Sequence, residues 1–160
     1  MILLAVWLAV QAPDSVTRVH WENTLRATSD SLDQVRGAIA TFRADLEPAS
    51  SALVLQRAER VNTGCMGAHR ALQSLQALLG TPYTSKSAHE QADLRSSTGH
   101  LLATMEQCGK EWTSAPGTAA RADSLRVWGP YRTSRLENQM QDFIGVMKRF
   151  MKAAALTKPA

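Results

Sequence analysis

Four stripes of apolar residues, each advancing in steps of four and three, constrain this 160-residue chain more than any other feature. Such spacing puts the side chains on one face of an α-helix and is typical of the contact line between packed helices. The stripes are Trp21, Leu25, Thr28, Leu32, Val35, Ile39, Phe42, Leu46; Val54, Ala58, Val61, Cys65, Ala68, Leu72, Leu75, Leu79; Leu94, Thr98, Leu101, Met105, Cys108, Trp112; and Leu136, Met140, Phe143, Met147, Phe150, Ala154. No segment shows the alternation of a strand, so the chain is predicted to be all-α.

Polar caps and prolines predict where the first two helices begin and end. Asp14 or Ser15 would supply the oxygen that the free backbone N–H groups at the start of the first helix need. Pro48 is expected to end that helix, because the residue before a proline avoids helical backbone angles. Ser50 or Ser51 would cap the second helix in the same way. The first connection is therefore short.

The last part of the chain is predicted to hold two helices. Leu125 and Trp128 are placed out of phase with the fourth stripe. The Gly129–Pro130 pair indicates a break, and a proline suits the first turn of a new helix. We therefore predict a short helix over residues 118–128 and a long one over residues 130–155.

Together these segments predict an up-down-up-down antiparallel four-helix bundle, with a short extra helix before the last long helix. Short connections make successive helices antiparallel neighbours. The bundle domain is expected to span residues 13–157. A composition of 44% hydrophobic and 20% charged residues is enough to bury such a core.

Residues 1–12 are uncharged and almost entirely apolar, which fits the hydrophobic region of a secretory signal peptide. The alternative is an apolar N-terminal segment that packs onto the bundle. Two cysteines fit export as well, since an even pair usually forms a bridge in an oxidising compartment. The sequence has no Asn-x-Ser/Thr glycosylation site. We expect a periplasmic or secreted protein.

Cys65 and Cys108 each lie on the apolar stripe of their own helix, and the midpoint between them falls at the predicted turn before the third helix. Residues equidistant from the turn of an antiparallel hairpin face each other, so the sequence predicts a Cys65–Cys108 disulfide. Gly64, Gly67 and Gly109 flank the two cysteines. We expect these glycines to let the two backbones approach closely enough for the bridge.

The same region supports a competing hypothesis of a metal or haem site. Cys65, His69, Met105 and Cys108 offer thiolate, imidazole and thioether groups that suit copper or zinc. Residues 65–69 also resemble the C-x-x-C-H haem attachment motif of c-type cytochromes, with Ala68 in place of the second cysteine. This resemblance covers five residues and implies covalently bound haem. A bridged cysteine supplies no thiolate, so the metal site and the disulfide exclude one another.

Positive charge is concentrated near the C-terminus. Residues 118–160 hold eight basic and three acidic side chains, whereas the rest of the chain is nearly balanced. The possible interaction surface consists of Arg126, Trp128, Tyr131, Arg132, Arg135, Lys148, Arg149 and Lys152. Its expected partner is a protein or an anionic membrane surface. The two aromatic residues are alternatively a plug at one end of the bundle.

No pattern of catalytic residues appears in the sequence. It lacks G-x-S-x-G, H-E-x-x-H, a glycine-rich phosphate loop and the Glu-x-x-His pairs of di-iron bundles. No nucleic-acid partner is expected, because aromatic residues are not interleaved with the basic ones. The sequence therefore predicts a binding or accessory protein without catalytic activity or a cofactor.

Overall fold

The computed structural model describes residues 14–112 and 118–156 and confirms the four-helix bundle. Its helices are α1 (Ser15–Arg43), α2 (Ser51–Leu78), α3 (Ala88–Glu111) and α4 (Ala119–Ala153), with a single 3₁₀ turn at Ser85–Ser87. Every residue of the four predicted stripes is buried except Leu46, which is half-buried. Within the described ranges, none of the helices is long and apolar enough to cross a membrane. The predicted signal segment, residues 1–12, lies outside the described residues.

Side-chain caps define the helix starts. The Asp14 carboxylate accepts a hydrogen bond of 2.7 Å from the backbone N–H of Thr17, which lowers the pKa of this carboxyl. Ser50 caps α2 through Leu53. The first helix ends at Arg43 rather than just before Pro48, because Asp45 takes a left-handed backbone angle (φ 45°) that closes the helix.

The helices pack around a rhombic cross-section. Each helix contacts its neighbours in the chain, and α4 also contacts α1. Across the short diagonal α2 contacts α4, whereas α1 and α3 make no close backbone contact in the described part of the chain. Small side chains on the buried stripe of α2, including Ala58, Cys65 and Ala68, leave room for this diagonal approach. α1 and α4 run antiparallel, since Trp21 contacts Phe150 at one end of the pair and Arg43 reaches Glu137 nearer the other.

The predicted break at Gly129–Pro130 is wrong, and α4 is one continuous helix. Leu125 and Leu136 are eleven residues apart, which is three turns and within about 20° of one face, so Leu125 is in phase with the seam. The positions between them on that face are Gly129 and Thr133, both buried. A glycine and a threonine interrupted the apolar pattern without interrupting the helix. The short extra helix over residues 118–128 is therefore the first part of α4.

Gly129 serves packing rather than chain reversal. A Cβ atom placed there would lie 2.6 Å from Cζ of Phe42 and 3.3 Å from the Trp112 ring. Phe42 is fully buried, so its ring occupies the space that a larger residue would need. Around Pro130, Arg43 at the end of α1 donates hydrogen bonds to the hydroxyls of Thr133 (2.8 Å) and Ser134 (2.8 Å). These bonds tie α1 to α4 beside the proline.

The turn between α2 and α3 is fixed by one buried side chain. The Gln91 amide nitrogen donates to the carbonyls of Leu79 and Thr81, and its oxygen accepts from the backbone N–H of Tyr83. The amide group of Gln91 is therefore bonded at both ends. It holds the hairpin in which the two cysteines face each other.

Candidate functional site

The cysteine pair forms the predicted bridge between α2 and α3. Cys65 and Cys108 are bonded, with their Cα atoms 6.1 Å apart and both side chains buried in the seam. The midpoint of the pair falls in the 3₁₀ turn Ser85–Ser87, as the hairpin geometry predicts. An intramolecular disulfide of this kind fits an oxidising, extracytoplasmic compartment.

The expected role of the flanking glycines is wrong. A Cβ atom at Gly64 would meet Val35 of α1 at 3.4 Å, so this glycine makes room for α1 and not for α3. Gly67 has no atom within 4 Å of its Cβ position, and at Gly109 the nearest atoms lie at an ordinary 3.7 Å. A Cα separation of 6.1 Å is within the normal range for a disulfide and needs no glycine.

The disulfide is incompatible with the thiolate metal site. Both sulfur atoms are bonded to each other, so neither Cys65 nor Cys108 can supply a thiolate to copper or zinc or form a thioether to haem. His69 and Met105 do line one cleft beside the bridge. Among the described residues, no group of three or more His, Cys, Asp and Glu side chains could hold a metal ion.

The structure brings part of the predicted interaction surface together in a concave groove between α3 and α4. Two hollows of about 270 Å³ and about 450 Å³ share Glu111 and Arg132 as walls. We call this feature the α3–α4 groove. Its defining side chains are Glu111, Trp112, Arg121, Trp128, Arg132 and Arg135.

Tryptophan rings form the apolar wall of the groove. Trp112, which follows α3, contacts Trp128 of α4 edge to face, with ring centroids 5.1 Å apart. The opposite side of Trp112 packs on Phe42, at 4.8 Å between centroids. Trp112 is buried and Trp128 is half-buried. The rings therefore join the groove to the core and leave part of Trp128 open to a ligand.

Guanidinium groups line the groove on the α4 side. Arg132 pairs with the Glu111 carboxylate at 3.3 Å, and both side chains are partly exposed. Arg121 lies 5.3 Å from the centre of the Trp128 ring and donates a hydrogen bond to the Glu111 carbonyl. Arg135 is exposed and has no ion-pair partner among the described residues. Three guanidinium groups thus face a single carboxylate.

Two predicted surface residues point away from the groove. Arg126 pairs with Asp123 at 2.6 Å and donates to the Ala49 carbonyl at 2.5 Å, which binds α4 to the loop after α1. Tyr131 is 69% exposed on the outer side of α4. Arg126 is therefore a structural residue. Tyr131 does not plug the bundle, whereas Trp128 both packs on the core and lines the groove.

The remaining predicted residues lie near the far end of the molecule. Lys148, Arg149 and Lys152 are exposed near the C-terminus of α4, and no carboxylate lies within ion-pair distance of them in residues 14–112 and 118–156. Lys148 is sixteen residues beyond Arg132, about 24 Å along the helix. These three exposed cations are separate from the α3–α4 groove.

Sequence reasoning missed Arg121 and Glu111 as members of the site. Arg121, Trp128, Arg132 and Arg135 follow one another at steps of seven, four and three, so they share one face of α4, next to the buried stripe. This periodicity is visible in the sequence. Glu111 could not be found in the same way, because its contact with Arg132 depends on how α3 and α4 pair.

Comparisons with known proteins found no matching family model, no similar curated protein and no similar solved structure. The chemistry of the α3–α4 groove is therefore the basis for assigning a function.

Proposed function

We propose that the protein is an exported, disulfide-stapled binding protein without catalytic activity, whose α3–α4 groove takes an acidic segment of a partner protein. The observation that carries this proposal is the set of three guanidinium groups that face one carboxylate beside two tryptophan rings. Arginine and tryptophan are the residue types that contribute most to binding energy at protein interfaces.

Glu111 is an example, within the chain itself, of a carboxylate bound by the guanidinium groups of the groove. Its carboxylate already pairs with Arg132 at 3.3 Å, which leaves Arg135 to bind a second carboxylate. A guanidinium group donates two parallel hydrogen bonds to a carboxylate, and this geometry favours arginine over lysine for such recognition. An acidic side chain next to an apolar one would match both the guanidinium groups and Trp128.

The shape of the groove favours a protein segment over a membrane. A concave site encloses a chain segment, whereas a bilayer presents a broad surface that a convex patch contacts more easily. Of the three exposed cations near the C-terminus of α4, Lys152 has a structural explanation in addition, because it lies in the last turn, where positive charge opposes the helix dipole favourably. The binding test must therefore distinguish a partner protein bound in the groove from a membrane bound by those three residues.

Export is supported by the disulfide and by the apolar composition of residues 1–12. Bridges of this kind persist in oxidising compartments and are rare where thiols are kept reduced. Determining the N-terminus and the mass of the protein recovered from the extracytoplasmic fraction tests this part of the proposal. Recovery only in the reducing compartment, with two free thiols, would contradict it.

Binding is tested with a fluorescent peptide of alternating glutamate and glycine and with its glutamine counterpart. The glutamate peptide should bind and should change the fluorescence of Trp128, whereas the glutamine peptide should not. In the double variant Arg132→Met/Arg135→Met the affinity should fall at least about tenfold, since each charge-assisted hydrogen bond is worth more than about 1.4 kcal/mol. Binding is measured by fluorescence anisotropy.

The matched control is Lys148→Met/Lys152→Met, which removes the same charge outside the groove. We expect less than about a twofold change in peptide affinity from it, because exposed charges 20 Å or more away are largely screened at physiological salt, where the Debye length is about 8 Å. Equal losses from both double variants would show that net charge alone attracts the peptide. Anionic vesicle binding that is lost only in Lys148→Met/Lys152→Met would assign the basic surface to a membrane instead.

A further inference from the structure

A second cleft lies on the other side of α3, between α2 and α3 and next to the disulfide. It measures about 440 Å³, and we call it the α2–α3 cleft. Its walls include Asn62, Met66, His69, Met105 and Gly109. Most of this surface is apolar, and it is not part of the α3–α4 groove.

Asn62 presents an unpaired acceptor at the cleft. The residue is 6% exposed, and its Oδ1 atom is buried without a hydrogen-bond partner. The amide nitrogen donates to a carboxylate oxygen of Glu59 at 3.3 Å. A carboxylate only accepts, so this bond fixes which end of the amide is the oxygen. Buried polar atoms are nearly always paired, so this oxygen is an available acceptor for a donor that enters the cleft.

Two methionine side chains line the same cleft as that oxygen. A Cβ atom at Gly109 would lie 3.7 Å from Asn62 Oδ1 and 3.7 Å from Met66 Cγ, so both groups lie against the bare face of this glycine. Met66 is 54% exposed, and Met105 is buried. An unbranched methionine with three rotatable side-chain bonds adapts easily to a neighbouring group. Met66 can therefore move aside and pack on a ligand that reaches Asn62.

Part of the charged rim of the cleft is paired, whereas the exposed guanidinium group of Arg70 has no ion-pair partner in the described residues. Lys110 lies 2.7 Å from Glu106, and its hydrogen bond and positive charge lower the pKa of that carboxyl. Inside the rim, the walls offer thioethers, the imidazole of His69 and one amide oxygen. Because most of the cleft surface is apolar, a neutral ligand fits it better than a charged one.

We propose that the α2–α3 cleft binds a small neutral aromatic molecule that carries one N–H or O–H donor. The donor bonds to Asn62 Oδ1, and the ring packs between the thioethers of Met66 and Met105. Contacts between a thioether sulfur and an aromatic ring are favourable at about 5 Å, and they select a ring over an alkyl chain. This site is independent of the acidic ligand proposed for the α3–α4 groove.

Indole is the probe, because it is aromatic and its nitrogen donates but does not accept. 1-Methylindole is the matched control, since methylation removes the donor and keeps the ring. Titration of protein labelled with ¹³C at the methionine methyl groups should shift the Met66 and Met105 signals on adding indole. We expect 1-methylindole to bind at least about tenfold more weakly, because the Asn62 acceptor then stays unpaired. Equal affinity for the two compounds would overturn the proposal.

Two variants locate the site. Asn62→Leu should abolish the preference for indole over 1-methylindole, and Gly109→Leu should fill the cleft and block both compounds. Gly99→Leu is the control on the same helix, since its Cβ position has no atom within 4 Å, and it should bind like the unmodified protein. Shifts confined to Met140, Met147 and Met151 would place indole elsewhere and contradict the proposal. If Gly109→Leu fails to fold, the comparison of the two compounds on the unmodified protein still decides the question.

Discussion

Helix α3 lies between α2 and α4, and its two sides are held in different ways. On the α2 side, a disulfide joins Cys65 to Cys108, and the neighbouring α2–α3 cleft is largely apolar. On the α4 side, the contacts are non-covalent: Trp112 packs on Trp128, and Glu111 pairs with Arg132. At 24 residues, α3 is the shortest of the four helices and offers the least seam for packing.

In our proposal, the disulfide side of α3 stabilises the bundle and the α4 side binds the ligand. The covalent side fixes the position of α3, so the α4 side need not be tightly closed to hold the bundle together. The guanidinium groups of Arg132 and Arg135 therefore remain partly in solvent, where a ligand can reach them. In our proposal, the basic residues near the C-terminus bind a ligand only where the α3–α4 groove brings them together.

The largest effect should come from removing the bridge on the α2 side. The variant Cys65→Ala/Cys108→Ala should lose about 3–4 kcal/mol of unfolding free energy, as expected for a loop of this length. Alanine is chosen because a serine hydroxyl would be buried in the seam without a partner. Urea denaturation followed by circular dichroism measures the loss. An unchanged midpoint would show that the seam alone holds α2 and α3 together.

The next largest effect on stability should distinguish a glycine on the α4 side from one on the α2 side. Gly129→Ala should destabilise the protein by about 1–3 kcal/mol, because its Cβ would lie 2.6 Å from the buried Phe42 ring. Gly109→Ala, on the α2 side, should be neutral or stabilising by up to about 1 kcal/mol, since alanine favours a helix and its nearest contact would be 3.7 Å. Thermal unfolding of both variants measures the difference. If both variants lost similar stability, α2 and α3 would have to approach closely at Gly109, as the sequence predicted.

The smallest effect on stability should come from the ion pair on the α4 side. Glu111→Gln should change the unfolding free energy by less than about 1 kcal/mol, because the pair is partly exposed to solvent. The same change frees Arg132 and should strengthen binding of the glutamate peptide by about twofold to tenfold. Glu90→Gln is the control near the other end of α3, about 31 Å along the helix from Glu111, and should leave peptide affinity unchanged. Weaker binding in Glu111→Gln would mean that Glu111 orients Arg132 for the ligand rather than competing with it.

Periodicity within each helix was enough to predict the core and the bridge. Both cysteines lie on apolar stripes, so their meeting followed from the midpoint of one hairpin. The continuity of α4 was missed because Gly129 and Thr133 occupy seam positions where apolar residues were expected. The role of Gly129 could not be predicted, since it depends on Phe42, a residue far away in the chain. The groove was missed for a similar reason: Glu111 and Arg132 meet only when two helices are paired side by side.

The bridge encloses the turn that Gln91 holds between α2 and α3. A protease that cuts the backbone in this turn would leave both pieces attached through Cys65 and Cys108. Such nicked molecules would run at full mass on a non-reducing gel and separate into two fragments only after treatment with a thiol. A single cut at this exposed connection therefore leaves the molecule in one covalent piece.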